Sequence, residues 1–306
     1  MDEMTFPDSG SQNTQGSDGA YRVLARKYRP QTFEDLVGQE PMVQTLENAF
    51  ETGRIAQAWM LTGVRGVGKT TTARILARGL NYEVPGEVDK PTVKLTQEGS
   101  HCRAIMEGRH VDVIEMDAAS HTGINDIREI TDAARYRPAT ARYKVYIIDE
   151  VHMLSNAAFN GLLKTLEEPP AHVMFIFATT EPRKIPATIQ SRCQKFSLRR
   201  IERDIIAAHL GNIATQEGAE IEEGVAQTIA QAGEGSMRDA ISILDQAISG
   251  SGGATVSLER VREMIGRATP KAMIDALAAI VSGKPAEAMR RWRAVVASGI
   301  DPIVAL

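Results

Sequence analysis

Short apolar runs alternate with amphipathic segments over the first two thirds of the chain. The apolar runs are Ala58–Thr62, Val111–Met116, Lys144–Ile148, Val173–Ala178 and Gln194–Leu198. Strands buried on both faces carry continuous apolar runs, and amphipathic segments between them can supply covering helices. The pattern predicts an α/β fold built on a parallel sheet.

Beyond residue 200 only helical periodicity remains. One helix is predicted from Ser236, whose side chain can cap it while Asp239 returns the bond, as in a capping box. The run Ser249–Gly253 is expected to end this helix as a flexible link. Two further helical stretches are predicted at 258–265 and 271–297.

These patterns divide the chain into four expected parts. They are a disordered tail at 1–20, an α/β base domain at 21–200, a small helical domain at 201–250 and a second helical domain at 251–306. The tail is assigned from its Gly, Ser, Gln and Asp content, which cannot bury enough apolar surface to order itself. The last domain is expected to be truncated, because its apolar residues continue to the end of the sequence.

Composition and charge limit the classes of protein to which this chain can belong. Of 306 residues 43% are hydrophobic, and the net charge is only −4. No run approaches the roughly 20 apolar residues that span a bilayer. The first residues lack the basic and apolar regions of a signal peptide. Two cysteines, Cys102 and Cys193, fit a reducing compartment, so a cytoplasmic protein without a membrane role is expected.

A glycine-rich segment between a predicted strand and a predicted helix matches G-x-x-x-x-G-K-[ST]. Its residues are Gly63, Val64, Arg65, Gly66, Val67, Gly68, Lys69 and Thr70. Backbone amides in such a loop approach phosphate oxygens, and the helix that follows adds its positive dipole end. Lys69 would neutralise the β- and γ-phosphates, and Thr70 would ligate Mg²⁺. The alternative is a glycine turn beside a solvated lysine.

Two acids end the third predicted strand. Asp149 would face the metal ion, and Glu150 would orient and activate the attacking water as general base. Paired acids at a strand end can also cap the next helix. A nucleoside kinase has the loop and one acid, but the second carboxylate favours hydrolysis over transfer to a small acceptor.

Three further residues have side chains that are ambiguous on their own. The run 175–180 would lie between the strands that carry the loop and the acids, which brings Thr180 toward the γ-phosphate. Arg192 and Arg238, each taken alone, would be interpreted as surface arginines. Cys193 is read as a small core residue rather than a nucleophile.

Taken together, these segments resemble the gamma/tau family of bacterial DNA polymerase III clamp-loader subunits. The segments that carry the resemblance are Leu24–Phe33, Val37–Glu40, Gly63–Thr70, Asp149–Leu154, Leu163–Pro170 and Ser191–Cys193. The match runs from about residue 21 to 246, and it is weaker beyond residue 253. It implies a P-loop AAA+ ATPase with a five-stranded parallel sheet of order 5-1-4-3-2. In the family's terms, 21–200 is the ATPase base domain, 201–250 the helical lid and 251–306 the start of the helical collar.

The resemblance also implies roles for single residues. Thr180 becomes the first sensor and Arg238 the second, reporting from the lid. Arg192 becomes an arginine finger that reaches into the ATP site of a neighbouring subunit. The residues implied to line the adenine pocket are Ala25, Arg29 and Val37.

The implied ligands are ATP or ADP with Mg²⁺. The implied partners are further copies of the chain in a pentamer with delta and delta-prime subunits, a ring-shaped sliding clamp and primed DNA. ATP binding would open the clamp, and primed DNA would trigger hydrolysis that releases it. The alternatives are a non-hydrolysing AAA+ scaffold subunit and another DNA-processing AAA+ motor, such as a branch-migration helicase.

Two segments depart from the family pattern. Many relatives carry four cysteines in the segment that here spans 81–109, which keeps only Cys102 and has Gly99 where a C-x-x-C pair needs cysteine. No zinc is therefore expected, an expectation that elemental analysis can test, and His101 and His110 are read as solvated loop residues. The helix after residue 123 matches a DNA-facing part of the family, with Arg128 as the obvious phosphate partner.

Overall fold

The computed structural model describes residues 23–265 and 270–297, so the tail predicted at 1–20 lies outside the described residues. The strands are Ala58–Thr62 (β1), Val113–Asp117 (β2), Lys144–Asp149 (β3), Val173–Thr179 (β4) and Gln194–Ser197 (β5). The helices up to the last strand are Leu24–Lys27 (α1), Glu40–Glu51 (α2), Lys69–Leu80 (α3), Cys102–Met106 (α4), Ile124–Ala133 (α5), Asn156–Glu167 (α6) and Ala187–Gln190 (α7). Those beyond it are Arg203–Gln216 (α8), Val225–Ala232 (α9), Met237–Ser251 (α10), Leu258–Met264 (α11), Pro270–Val281 (α12) and Pro285–Ala297 (α13).

All five strands are parallel and lie in the order β2-β3-β4-β1-β5. Read from the other edge this is 5-1-4-3-2, so the predicted fold class is confirmed. Strand β4 separates β1 from β3, with Thr62 beside Thr179 and Ile148 beside Phe177. The carboxyl ends of β1 and β3 therefore meet at one edge of the sheet, where parallel α/β folds place their ligands.

The two faces of the sheet are covered by different helices. Side chains alternate along a strand, so Trp59 and Leu61 pack with α2 and α3 while Ala58 and Met60 pack with α5 and α6. All four side chains are buried. This explains why the sequences of β1 and β4, which are buried at every position, lack the apolar–polar alternation of a half-exposed strand.

A third apolar cluster holds α8 to α11 together and includes a piece from the start of the chain. Leu24 in α1 is buried among these helices. Its amide donates a hydrogen bond of 3.0 Å to Asp245 Oδ2 on α10. The first described helix thus precedes the sheet in sequence but packs with the helices that follow it.

Strand β2 begins two residues later than predicted, because the residues before it form a turn. Val111 is exposed, whereas Asp112 is buried at 1%. The Asp112 carboxylate accepts hydrogen bonds from the amides of residues 139 to 141 and from the Thr140 hydroxyl. Burial alone raises the pKa of Asp112, but these bonds, from Ala141 first, outweigh it and leave the pKa below its ordinary value.

Asp112→Asn is expected to lower the free energy of unfolding by about 2–4 kcal/mol at neutral pH, since it leaves buried amides without a charged acceptor. A depressed native pKa contributes stability above the ordinary value of 3.8 that is lost as pH falls through the native pKa. Denaturation curves should therefore show the two proteins converging below about pH 3.8. The exposed Asp132→Asn serves as control, and a gap that stays constant with pH contradicts this account.

The ends of several helices differ from the prediction. Ser236 caps α10 through the Asp239 amide, but the expected return bond is not found, because the Ser236 amide donates to Gly233 O instead. Helix α10 continues through Ser251, so most of the predicted link is helical, and Gly252 ends it at φ 64°.

The stretch predicted at 271–297 is two helices rather than one. Gly283 adopts a positive φ of 67° between them, and Pro285 begins α13 at the first helical position. Among the described residues, no helix has both the length and the apolar content needed to cross a membrane.

Candidate nucleotide-binding site

A cavity of about 600 Å³ opens at the carboxyl edge of the sheet, between the α1 region, the glycine loop and α10. Its size suits a nucleotide. The predicted site residues that line it are Ala25, Arg29, Val37, Arg65, Gly66, Val67, Gly68, Lys69, Thr70, Asp149, Glu150 and Arg238. The predicted residues outside its lining are Gly63, Val64, Thr180, Arg192 and Arg128.

The glycine loop needs glycine for two different reasons. Gly68, at φ 100°, directly precedes α3 in a conformation that residues with a Cβ rarely adopt. Gly66, at φ 79°, lies so close to the lid that a Cβ there would be 1.9 Å from Ser236 Oγ. The loop therefore supports the first turn of α10 and brings Arg238 to the cavity.

Lys69 is the most enclosed cation of the cavity. The residue is only 6% exposed, and its Nζ donates hydrogen bonds of 3.1 Å to the carbonyl oxygens of Gly63 and Val64. Burial lowers its pKa, while Glu150 and Asp149 act in the opposite direction. An ammonium group removed from water and held by neutral carbonyls is well placed to exchange them for phosphate oxygens.

Two oxygen-bearing side chains meet where Mg²⁺ was predicted. Thr70 Oγ1 donates to Asp149 Oδ2 at 2.5 Å, and Asp149 Oδ1 accepts from the Glu150 amide at 2.9 Å. Hydroxyl and carboxylate oxygens are ligands that Mg²⁺ prefers, and in nucleotide sites the ion takes its other ligands from phosphates and water. Thr70 and Asp149 therefore fit this ion.

Glu150 has a strained backbone, and its carboxylate has two polar neighbours. Its φ of 45° is unusual for a residue other than glycine, and such strain is concentrated at functional sites. Thr180 Oγ1 donates to Glu150 Oε2 at 3.1 Å, so Thr180 contacts the acid rather than the cavity. Sequence reasoning missed His152, whose Nδ1 lies 3.4 Å from the same Oε2 and 3.0 Å from Thr179 Oγ1. The signal for it was a histidine two residues beyond the acid.

Some of the arginines that line the cavity form an ion pair with an acid, and others do not. Arg74 is held by Glu115 through two hydrogen bonds of 2.7 and 2.8 Å. Arg29 and Arg238 have no ion-pair partner among the described residues. Burial, then Arg74 and Arg238, lower the pKa of Arg29. Such an arrangement favours a polyanion. Arg74 was missed, although its place four residues after Thr70 puts both on one face of α3.

Two arginines that were predicted to be functional lie on the surface, outside the lining of the cavity. Arg192 lies in the turn between α7 and the edge strand β5, and it donates to Thr188 O at 2.6 Å and to Glu167 Oε1 at 2.5 Å. Arg128 is exposed on α5, 3.4 Å from Asn125 Oδ1. Neither side chain faces the chain's own cavity.

The segment 81–109 is held by packing and does not present a zinc-ligand set. Cys102 is buried, and its Sγ accepts a hydrogen bond from the Gly99 amide. A Cβ at Gly99 would lie 2.6 Å from Glu83 O, so a cysteine does not fit there. His101 is not a free loop residue as predicted, because it contacts both Glu83 and His110.

Cys193 is the other free thiol. It packs against the apolar cluster beneath α5 and α6, and burial raises its pKa to about 12. Both observations agree with a core residue, since a thiol is a poor nucleophile unless it ionises.

This sheet order, with a glycine loop after β1, acids after β3 and a helical lid over the cavity, defines a P-loop ATPase of the AAA+ class. Solved structures of the Thermotoga maritima RuvB Holliday junction branch migration motor share the fold, with a TM-score of 0.57 at 17% identity over 83% of this chain and 79% of that one.

Matches to family descriptions and to known relatives identify the family within this class. Residues 38–202 match "DNA polymerase III, delta subunit", 205–253 match "DNA polymerase III clamp loader subunit, ATPase lid domain", and 256–306 match "DNA polymerase III subunits gamma and tau domain III". DNA polymerase III subunit tau of Escherichia coli is 46% identical over 284 residues, 92% of this chain and 43% of that protein. The tau subunit of Bacillus subtilis is 51% identical over 233 residues, 76% of this chain and 40% of that protein. The chain therefore belongs to the gamma/tau family of DNA polymerase III clamp-loader subunits. It spans less than half the length of these two relatives.

Proposed function

We propose that this chain is an ATP-hydrolysing motor subunit of a bacterial clamp loader. The observation that carries the proposal is the convergence of Lys69, Thr70, Asp149 and Glu150 on one cavity at the end of the sheet. A cation, two metal ligands and a candidate base are the parts that phosphoryl transfer to water requires. The retention of all four argues against a scaffold subunit that does not hydrolyse ATP.

Within this proposal each side chain has one task. Lys69 and the amides of the glycine loop bind the β- and γ-phosphates, and Arg238 contacts the phosphates from the lid. Glu150 accepts a proton from the attacking water, while Thr180 holds its carboxylate. Mg²⁺, when bound by Thr70 and Asp149, neutralises charge that develops on the phosphate oxygens.

The cavity has an apolar end suited to a base. Ala25 and Val37 lie there beside Ile241 of the lid, which supports their role in binding adenine. Arg29 lies near the cations Arg74 and Arg238, an arrangement that supports a contact with the phosphates in addition to its predicted role in the adenine pocket.

The proposed partners follow from family membership. They are further copies of this chain in a pentamer with delta and delta-prime subunits, a sliding clamp and primed DNA. Arg192 is the finger offered to the next subunit, and Arg128 is a candidate phosphate contact for DNA. A branch-migration motor shares the fold, but likeness at 17% identity extends to the fold alone.

Lys69→Ala is expected to abolish ATP binding, because it removes the buried cation that pairs with the phosphates. Binding is measured with a fluorescent ATP analogue, and hydrolysis is measured with and without clamp plus primed DNA. The exposed Lys90→Ala is the matched control and should bind and hydrolyse ATP normally. ATPase activity of the unmodified chain that clamp and primed DNA do not stimulate would contradict the clamp-loader assignment, and normal binding by Lys69→Ala would contradict the site.

A further inference from the structure

Arg192 is held in place by an acid on a neighbouring helix. Its Nη2 donates to Glu167 Oε1 at 2.5 Å, and its Nη1 donates to the carbonyl of Thr188 at 2.6 Å. The guanidinium is thus fixed from two directions, by the end of α6 and by α7. Both side chains remain partly open to solvent, at 32% for Arg192 and 52% for Glu167.

The position of Glu167 is unfavourable for the helix that carries it. Glu167 is the last residue of α6, and Glu168 is its C-cap. Negative charge at a helix C-terminus is opposed by the helix dipole. Pro169 and Pro170 follow directly, and proline cannot continue a helix. Helix α6 therefore cannot be extended beyond this point, and the Glu167 carboxylate stays at its C-terminus. A residue that breaks a local rule in this way is often retained for function.

We propose that Glu167 is a positioning residue for the arginine finger, an inference that rests on the proposed function of Arg192 in trans. A free arginine side chain samples many rotamers, and ordering it at the moment of reaction costs conformational entropy. Together with the Thr188 carbonyl, Glu167 removes part of that cost in advance. It holds the guanidinium outward at the edge of the sheet beside β5, where a neighbouring subunit can dock.

The strength of the contact suits this role. Exposed ion pairs contribute little net stability, because water competes for both charges. Arg192 can therefore add a phosphate of the neighbouring site to its contacts without first breaking a strong bond. Two of its five N–H donors are used by Glu167 and Thr188, and the remaining donors can face the phosphate.

Glu167→Gln in the assembled clamp loader is expected to lower kcat for clamp- and DNA-stimulated hydrolysis about three- to tenfold, or about 0.7–1.4 kcal/mol at 1.36 kcal/mol per tenfold. The KM for ATP and the thermal midpoint of the chain should stay unchanged. Glu168→Gln is the matched control, with the same chemistry one residue away and no side-chain contact to Arg192, and it should behave as the unmodified chain does. A Glu167→Gln variant with unchanged kcat, or one that shares its loss with Glu168→Gln, overturns the inference.

Mixed assemblies show whether the effect belongs to the finger. Lys69→Ala subunits keep a finger but no site, and Arg192→Ala subunits keep a site but no finger, so activity recovered on mixing comes from interfaces between the two. Glu167→Gln added to the Lys69→Ala subunit should reduce that activity, whereas added to the Arg192→Ala subunit it should have no effect. Equal loss in both arrangements indicates a general structural role and overturns the inference. If Arg192→Ala alone keeps full stimulated hydrolysis, the proposed finger itself is wrong, and this inference falls with it.

Discussion

Arg192→Ala is expected to lower clamp- and DNA-stimulated ATP hydrolysis by about 10³–10⁵-fold while ATP binding stays near normal. The side chain lies outside the lining of its own cavity and precedes an edge strand, so its removal leaves the binding groups of the same chain intact. In trans, an arginine finger stabilises charge on the transferred phosphoryl group, which makes it worth about 4–7 kcal/mol of barrier. Steady-state hydrolysis and nucleotide titration of the assembled complex measure the two quantities separately.

Complementation decides whether the residue acts in trans. Lys69→Ala and Arg192→Ala subunits, each inactive alone, should recover part of the hydrolysis when they assemble together. The exposed Arg54→Ala is a suitable control for the loss of an arginine. No recovery at any mixing ratio, with assembly confirmed by sedimentation, would show that Arg192 acts in cis or not at all.

The second large effect is expected at Glu150. Glu150→Gln should reduce hydrolysis by about 10²–10⁴-fold, the usual contribution of a general base, and should leave ATP binding intact. The amide keeps the size of the side chain and can still accept the hydrogen bond from Thr180, so the loss reports on proton transfer. Rapid-quench measurement of ATP cleavage, with the exposed Glu34→Gln as control, checks this result.

The consequence for the assembly is also testable. A loader that binds ATP but cannot cleave it should remain on the open clamp, and fluorescence of labelled clamp should show slow release after DNA is added. Normal turnover by Glu150→Gln would place the base elsewhere. His152, which contacts the same carboxylate, is the next candidate to test.

The local parts of this structure could be predicted well from the sequence. Strands such as Ala58–Thr62 are buried on both faces, so their apolar runs are unbroken and easily recognised. The glycine loop carries its own pattern of spacing, because only glycine allows the backbone of Gly68 to turn into α3. Asp149 and Glu150 could be predicted as site residues because they come at the end of the apolar run that forms β3.

Contacts between distant segments could not be predicted from the sequence. Nothing in the local pattern shows that Thr180 holds Glu150, or that Glu167 holds Arg192. The extent of α10 was also underestimated, because glycine and serine lower helix propensity while packing and capping in the folded chain compensate for them. These features depend on tertiary structure, which periodicity along the chain does not report.

The packing of α1 against α10 has a consequence for how the chain is made. The amide of Leu24 bonds to Asp245, 221 positions later, so α1 leaves the ribosome long before its partner exists. A four-residue helix is not stable alone, and contacts between such distant residues form slowly. The whole parallel sheet can therefore be assembled while the residues that line one wall of the nucleotide cavity are still unstructured. A nascent chain released before residue 245 should bind ATP poorly even with a complete glycine loop. The wall of the cavity that α1 provides is held in place only after the lid helices have been synthesised.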